Sequence, residues 1–484
     1  MRHERWIAGA IAAGICLSAA GCGIITDKQE STAALPTASK EEETPAETAK
    51  PTEPQPEEIV PFPQEPEAPA EELEGGKRIV IMTDIHYMAP SLTDMGEGFQ
   101  NMVEHGDGKL TNYIWEITDA AFEEIKLLTP DVLVITGDLT LQGEKESHEA
   151  LAQKLDEVEK SGIEVVVMPG NHDINNPSAS SYSGPIRRPA ERVTPEEFEE
   201  IYQEFGYREA WSRDPYSLSY TYDLGPSMRL MMLDSCQYES GNKVGGMIKT
   251  ETYEWIESQL QESLENGIYL LPAAHHNLLE ESKVYTQDCT IEHSEELVQL
   301  LESYNIGLFV SGHLHLQHFM QHMDIGIWEI VTSSLSTPPC QYGVLEYMDD
   351  GSFSYYTRQV NMEKWAREQR LEDENLLNFN TYGPQTLKRI FYNQAYDAMK
   401  DSREEETGSL FVQLTEEEKQ EMSRVYAELN AAYFAGKAYE VVEEAVGQPG
   451  YEMWRRYCYP AILYQYLECI VEDGVMDYNY LSQD

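Results

Sequence analysis

Five short stretches of this 484-residue chain carry the residue types that hold transition metals. They are Thr83-Asp84-Ile85-His86, Gly137-Asp138, Gly170-Asn171-His172-Asp173, Ala274-His275-His276-Asn277 and Gly312-His313-Leu314-His315. Carboxylate and imidazole suit manganese, iron or zinc, and an asparagine carbonyl adds a ligand without adding charge. Singly, each has a plainer reading: Asp-x-His or Gly-Asp usually marks a turn, and His-x-His fits a solvated strand edge. In series, each directly behind an apolar run, they point to one crevice, because in open α/β sheets ligands gather outside the carboxyl ends of the strands.

The elements that must position these residues are legible in the hydrophobic pattern. Residues 78–84, 131–138, 163–170, 228–234, 269–275 and 306–313 read as buried strands that end in polar residues or glycine. Helical patterns at 112–128, 146–160, 251–265 and 293–303 separate them, so strand and helix alternate as in a layered α/β core. Residues 327–360 read as antiparallel strands closing the sheet around the turn Asp349-Asp350-Gly351. From residue 361 the pattern becomes helical. Thr415 and Glu418 form a capping box ahead of Met422, Val425, Tyr426, Leu429 and Tyr433 on one face, with a stop at Gly436. A second helix is expected between Pro460 and Gly474.

The motif order D-x-H, GD, GNH[DE], H, GHxH resembles the signature of calcineurin-like metallophosphoesterases, over residues 78 to 358. The resemblance implies an α/β (α+β) fold: a four-layer β-sandwich flanked by helices, here with a C-terminal helical subdomain. It implies two divalent or transition metal ions (manganese, iron or zinc), one held by Asp84, His86 and His315, the other by Asn171, His275 and His313, with Asp138 bridging. His172 would sit beside the metals without ligating them, contact substrate together with Asn171, and donate a proton or hydrogen bond to the leaving oxygen. The implied activity is hydrolysis of a small phosphoester by a hydroxide bound at the dinuclear centre. Gly170 is expected to allow the tight turn that aims Asn171 and His172. His276 is expected to support the site without ligating. His105, His148, His293, His318 and His322 read as surface or packing residues, and Arg187 and Arg188, in the loop 174–193, as candidate contacts to substrate phosphate.

Branch features favour a phosphodiester. Gly137-Asp138-Leu139-Thr140-Leu141-Gln142-Gly143 lacks the Asp-Arg pair that protein serine/threonine phosphatases carry after GD, and the helical tail is unlike the α/β substrate domain of exported 5′-nucleotidases. Asp173, where other branches have Glu, is similar to the cyclic-nucleotide phosphodiesterase branch. A phosphomonoesterase is the alternative. A surface binding lipoprotein on the same scaffold is a third reading, against which every motif position is filled.

The ends and the charge set the context. Arg2 and Arg5 precede an apolar run from Trp6 to Leu17, and Leu17-Ser18-Ala19-Ala20-Gly21-Cys22 resembles a lipobox, with Ala19 where leucine is usual. Residues 1–22 are therefore expected to be a signal peptide, with Cys22 lipidated and the protein anchored by that lipid outside the bacterial cell membrane. The run is shorter than the roughly 20 residues a spanning helix needs. Residues 23–76, rich in proline and glutamate, are expected to be a disordered acidic tether. Residues 77–360 then form the phosphoesterase domain and 361–484 the helical subdomain. Of the formal charge of −52, residues 27–76 carry −11 and residues 1–26 carry +1, which leaves −42 on the folded part. Such a surface disfavours long nucleic acid as a partner. Five cysteines follow Cys22, an odd number, and are expected to be buried free thiols.

Overall fold

The computed structural model describes residues 73–282, 288–401, 413–458 and 462–483. The N-terminal apolar run, Cys22, almost all of the acidic tether and the expected helix start at Pro460 lie outside these residues. The strands in the first half of the described chain are β1 (Gly76–Met82), β2 (Val132–Thr136), β3 (Glu164–Met168), β4 (Ser180–Ser183), β5 (Ile186–Pro189), β6 (Ser212–Arg213), β7 (Tyr220–Asp223) and β8 (Met228–Leu233). They are followed by β9 (Tyr269–Ala274), β10 (Leu308–Ser311), β11 (His318–Gln321), β12 (Trp328–Val331), β13 (Gln341–Met348), β14 (Phe353–Gln359) and β15 (Tyr480–Gln483).

Two mixed sheets result, one ordered β15-β14-β13-β1-β2-β3 and the other β11-β12-β10-β9-β8-β7-β6. Strands β1, β2 and β3 are parallel, as are β8, β9, β10 and β12, so the motif-bearing carboxyl ends within each sheet point the same way. The pleat sorts the apolar runs between two layers. On β8, Met228, Leu230 and Met232 enter the core between the sheets, while Met231 and Leu233 pack on the helices Thr250–Asn266 and Ser294–Ser303. Leu271 and Ala273 against Leu270 and Ala274 repeat the alternation on β9, which is why these strands read as continuous apolar runs. Helices Ile114–Leu128 and Lys145–Glu159 pack on the first sheet through Ile117, Ala121, Ile125, Leu151, Leu155 and Val158. The Tyr220 hydroxyl donates to Val167 O at 2.8 Å, and the rings of Tyr269 and Tyr347 stack at 4.5 Å, tying one sheet to the other.

The second half of the chain departs from its sequence reading in two places. Trp328–Val331 does not close the first sheet: β12 lies parallel to β10 in the second, and only β13 and β14 form the antiparallel pair. The tail is not helical to its end, because β15 returns to the first sheet beside β14, with Leu481 opposite Tyr355. Four residues at a chain end carry too little pattern to reveal a strand. The loop 174–193 contains the β4–β5 hairpin.

The described residues between β14 and β15 form the helices Met362–Glu368, Glu374–Leu377, Phe379–Asp401, Glu416–Phe434, Val442–Val446, Pro449–Cys458 and Ile462–Asp473. The capping box forms, with Thr415 Oγ1 accepting from Glu418 N and the Glu418 carboxylate accepting from Thr415 N. Met422, Val425, Tyr426, Leu429 and Tyr433 are all buried. Their core also takes in Leu314, Leu316, Val331 and Cys289 from the sandwich. Cys236 and Cys340 are free and buried, and Cys289 and Cys469 are buried as well. Among the described residues, no helix is long and apolar enough to cross a membrane.

Candidate metal centre

Every motif side chain stands just beyond the carboxyl end of its strand, and the backbone there is bent to aim it. Asp84, His86, Asp138, His313 and His315 all have φ between 48° and 70°. That left-handed conformation is uncommon for residues with a Cβ, and it is held only where surrounding structure over-determines it. Gly170 plays a part other than the expected one. Its φ is not in the left-handed region; instead a Cβ there would fall 2.1 Å from Asp138 N and 2.2 Å from Asp138 Oδ1. Glycine is needed so that the β3 loop can pass against the Asp138 carboxylate. Gly137, at φ 96°, combines both needs, since its Cβ would meet His275 Nδ1 at 2.6 Å.

Two sets of donor atoms converge on Asp138. In the first, His86 Nε2 lies 3.7 Å from Asp138 Oδ2 and 3.6 Å from Asp84 Oδ1. His315 Nε2 lies 3.2 Å from Asp84 Oδ1 and 3.1 Å from His86 Nε2. The donor atoms of Asp84, His86, Asp138 and His315 all fall within 4.8 Å of one another, a group able to hold one ion. In the second set, His275 Nε2 lies 3.5 Å from Asp138 Oδ2, 3.0 Å from Asn171 Oδ1 and 3.2 Å from His313 Nδ1. All seven residues are buried. His172 stands alongside, with Nε2 3.8 Å from Asp138 Oδ2.

The chemistry of these donors fits two metal ions. His275 Nδ1 donates to Thr136 O at 2.9 Å and His313 Nε2 to Asp288 O at 2.9 Å. Each backbone carbonyl fixes the tautomer and leaves the other ring nitrogen as a lone pair facing its neighbour. Two lone pairs 3.2 Å apart repel unless a proton or a metal cation lies between them. Asp84 Oδ1, turned toward His86 and His315, has no hydrogen-bond partner although it is buried. The field agrees. Burial opposes ionisation of Asp84 and Asp138, yet the surrounding imidazoles hold both carboxyls well below the usual carboxylate range. Burial also works against a charged His275, but Asp138 and Asp84 push it up to about 9. A pocket that draws a proton this strongly draws a divalent cation for the same reason.

The two sheets support their donors differently. Around the first, a polar web does the holding. Asp173 accepts from Gly170 N (2.8 Å), Leu139 N (3.1 Å), Thr140 N (3.0 Å) and Thr140 Oγ1 (3.0 Å), locking the β3 loop to the β2 loop. Asp84 O accepts from Ser334 Oγ at 2.9 Å and Ser336 Oγ at 3.0 Å. On the second sheet the residues that alternate with His313 and His315 are apolar: Leu314 and Leu316 enter the core of the helical subdomain. His276 is a support, as expected: its Nε2 donates to Val244 O at 2.8 Å and its Nδ1 meets Ser235 Oγ at 2.8 Å.

Of the other histidines, His148 is fully buried and bridges Thr140, Tyr202 and Asp173 O, while His318 pairs with Glu281 and stacks on Tyr478. Arg187 holds its own hairpin, donating to Ser180 Oγ and Ser178 O, and Arg188 is exposed. Sequence reasoning passed over Asp107 and Lys109, a buried ion pair at 2.6 Å in the segment that Leu110 N ties to Ser336 O. It also passed over Asn242, which donates to Asn171 O at 2.6 Å. The flanking glycines Gly106 and Gly108 are the only signal in the sequence for the first of these.

Comparison with known proteins agrees with this geometry. Residues 77–317 match the profile described as calcineurin-like phosphoesterase, and residues 361–477 match that of the C-terminal domain of cyclic nucleotide phosphodiesterase. The chain is 25% identical over 234 residues to a probable cyclic nucleotide phosphodiesterase of Vesicomyosocius okutanii, covering 48% of this chain and 78% of that protein. It is 24% identical over 203 residues to another of that name from Synechococcus, covering 42% and 64%. Among solved structures, a dimetal phosphatase from Danio rerio superposes with a TM-score of 0.43 at 13% identity, over 59% of this chain and 97% of that one. With its motif residues gathered around a buried, cation-seeking pocket, the chain belongs to the calcineurin-like phosphoesterases, hydrolases that cut phosphoester bonds at a centre of two divalent metal ions.

Proposed function

We propose that this protein hydrolyses a small phosphodiester of the cyclic nucleotide class. The observation that carries the reading is the match of residues 361–477 to the C-terminal domain of cyclic nucleotide phosphodiesterase, joined to a phosphoesterase domain in one chain. The names of the two relatives point the same way. In this reading Asp84, His86 and His315 hold one ion, Asn171, His275 and His313 the other, and Asp138 serves both. When bound, the metals supply Lewis acidity and lower the pKa of water from about 15.7 to about 7. The chain's own residues do the rest. His172 keeps its Nδ1–H on Leu141 O at 2.7 Å, so Nε2 is the ring atom left for the leaving oxygen, to which it donates in its imidazolium form. His172 N donates to Asp138 Oδ1 at 2.8 Å, which fixes the ring beside the bridging carboxylate. Asn171 adds a ligand without charge.

The reading extends to placement. The charged start, short apolar run and lipobox-like Leu17–Cys22 support export, with Cys22 lipidated and the catalytic part held off the membrane by the acidic tether. The protein would then act on extracytoplasmic substrates.

The test is turnover by manganese-loaded protein of 3′,5′- and 2′,3′-cyclic nucleotides and of bis(p-nitrophenyl) phosphate, set against p-nitrophenyl phosphate. The expected result is a higher kcat/KM for diesters. A preference for the monoester throughout would replace this reading with a phosphomonoesterase.

A further inference from the structure

One carboxyl group of the second sheet is wholly buried and belongs to none of the motifs. Glu329 lies on β12 between Trp328 and Ile330. Ile330 enters the core between the sheets, so the pleat turns Glu329 to the face it shares with Val331, which belongs to the core of the helical subdomain. Glu329 Oε1 accepts from Leu278 N at 2.8 Å and from Ser311 Oγ at 2.5 Å, and Oε2 accepts from Leu279 N at 2.6 Å. Ser311 Oγ in turn accepts from Asn277 Nδ2 at 3.0 Å, and the same amide donates to Gly312 O at 3.2 Å. One side chain thus gathers the segment that follows His275 and the segment that precedes His313. Those are the two imidazoles whose facing nitrogens lie 3.2 Å apart.

The surroundings keep Glu329 an acceptor. Glu281, also buried, is its hydrogen-bonded neighbour. Glu281 pairs in turn with His318 Nδ1, and His318 Nε2 lies 3.8 Å from Asp473 Oδ2 in the helical subdomain. Burial pushes Glu281 up to about 8, and burial followed by the Glu281 charge raises Glu329. Two such neighbours keep a proton between them at neutral pH. The three donors already aimed at Glu329 leave that proton to Glu281.

We propose that Glu329 is the positioning residue of the ion site formed by Asn171, His275 and His313: by tying Leu278 and Leu279 to Ser311 it sets the direction in which the two histidines present their nitrogens to a metal. This rests on the ligand assignment given above and deepens it. Leu314 and Leu316 fix how deep their loop lies, but apolar contacts do not set its orientation; bonds that weaken with angle do. A buried carboxylate is expensive unless its lone pairs are used, and here each oxygen is used to hold a ligand-bearing loop. The bonds of Glu329 go to Leu278, Leu279 and Ser311, so its effect on the ion passes through those loops. Groups that hold a metal's ligands in this way tune its affinity by about 10- to 100-fold.

The experiment titrates metal-free wild type, Glu329→Gln, Ser311→Ala and Glu281→Gln with manganese, following the free ion by electron paramagnetic resonance, and records the thermal unfolding of each metal-free protein. Wild type is expected to take up two ions. Glu329→Gln keeps the shape but offers one acceptor oxygen in place of two. It is expected to bind one ion within about twofold of wild type and the other about 10- to 100-fold more weakly. Ser311→Ala cuts the link to Asn277 alone and is expected to weaken the same ion about 5- to 10-fold; it decides the matter if Glu329→Gln does not fold. Glu281→Gln mimics the protonated acid and is expected to bind both ions as wild type does. Both ions held at wild-type affinity by Glu329→Gln, both weakened alike, or a loss matched by Glu281→Gln overturns the positioning role and leaves Glu329 a part of the packing under the subdomain. A wild type that takes up a single ion overturns the two-site assignment along with it, so the two failures are told apart.

Discussion

The two sheets supply the metal centre by different physical means. The first sheet offers Asp84, His86, Asp138 and Asn171 on loops held by hydrogen bonds to the Asp173 carboxyl group and from the Ser334 and Ser336 hydroxyls. The second offers His275, His313 and His315, and the last two alternate with leucines sunk in the helical subdomain. A hydrogen-bonded web fixes direction, because each bond fails with angle. Apolar packing fixes depth, because an unfilled gap costs free energy in proportion to its volume. The C-terminal helices are thus part of the scaffold of the site: Leu314 and Leu316, which alternate with His313 and His315, belong to their core.

The largest effect should come where the two halves meet. Asp138→Ala is expected to lose both ions and all turnover above background, since its carboxylate faces both donor sets. Elemental analysis alongside rate measurement checks it, and retention of one full ion would show that the halves are independent. His172→Ala should keep its metals and lose about 10²- to 10⁴-fold in rate, with the greater loss on alkyl esters, whose leaving oxygen needs a proton, than on nitrophenyl esters. Equal losses on both would reduce His172 to an electrostatic role.

Leu316→Ala tests the apolar prop. A cost of about 2–5 kcal/mol in denaturant unfolding is expected, accompanied by weaker metal binding. Leu151→Ala, cut from the core against the first sheet, should cost a similar amount and leave metal affinity alone. If both variants lose metal alike, the special tie between subdomain and histidines is broken. Asp173→Asn tests the polar prop at about 1–3 kcal/mol, because one amide oxygen cannot accept the four bonds that two carboxylate oxygens take. Its kcat should fall more than its metal content, and the reverse would shift the loop lock from Asn171 and His172 to Asp138 itself.

Period and punctuation make much of this protein legible in its sequence alone. The strands β1, β2, β3, β8, β9 and β10 and the helices between them follow from apolar runs bounded by glycine, and local pattern is enough because each run is buried on both faces. The motif types named their chemistry because few other uses gather aspartate, asparagine and histidine at successive strand ends. Tertiary structure alone decided the remainder. Which sheet β12 joins, and that β15 comes back to pair with β14, depend on partners distant in the chain, and a four-residue strand has no pattern that would reveal them. The same holds for Gly170, whose reason is the Asp138 carboxylate beside it, and for Leu314 and Leu316, which look like ordinary strand-end leucines until a helical core closes over them.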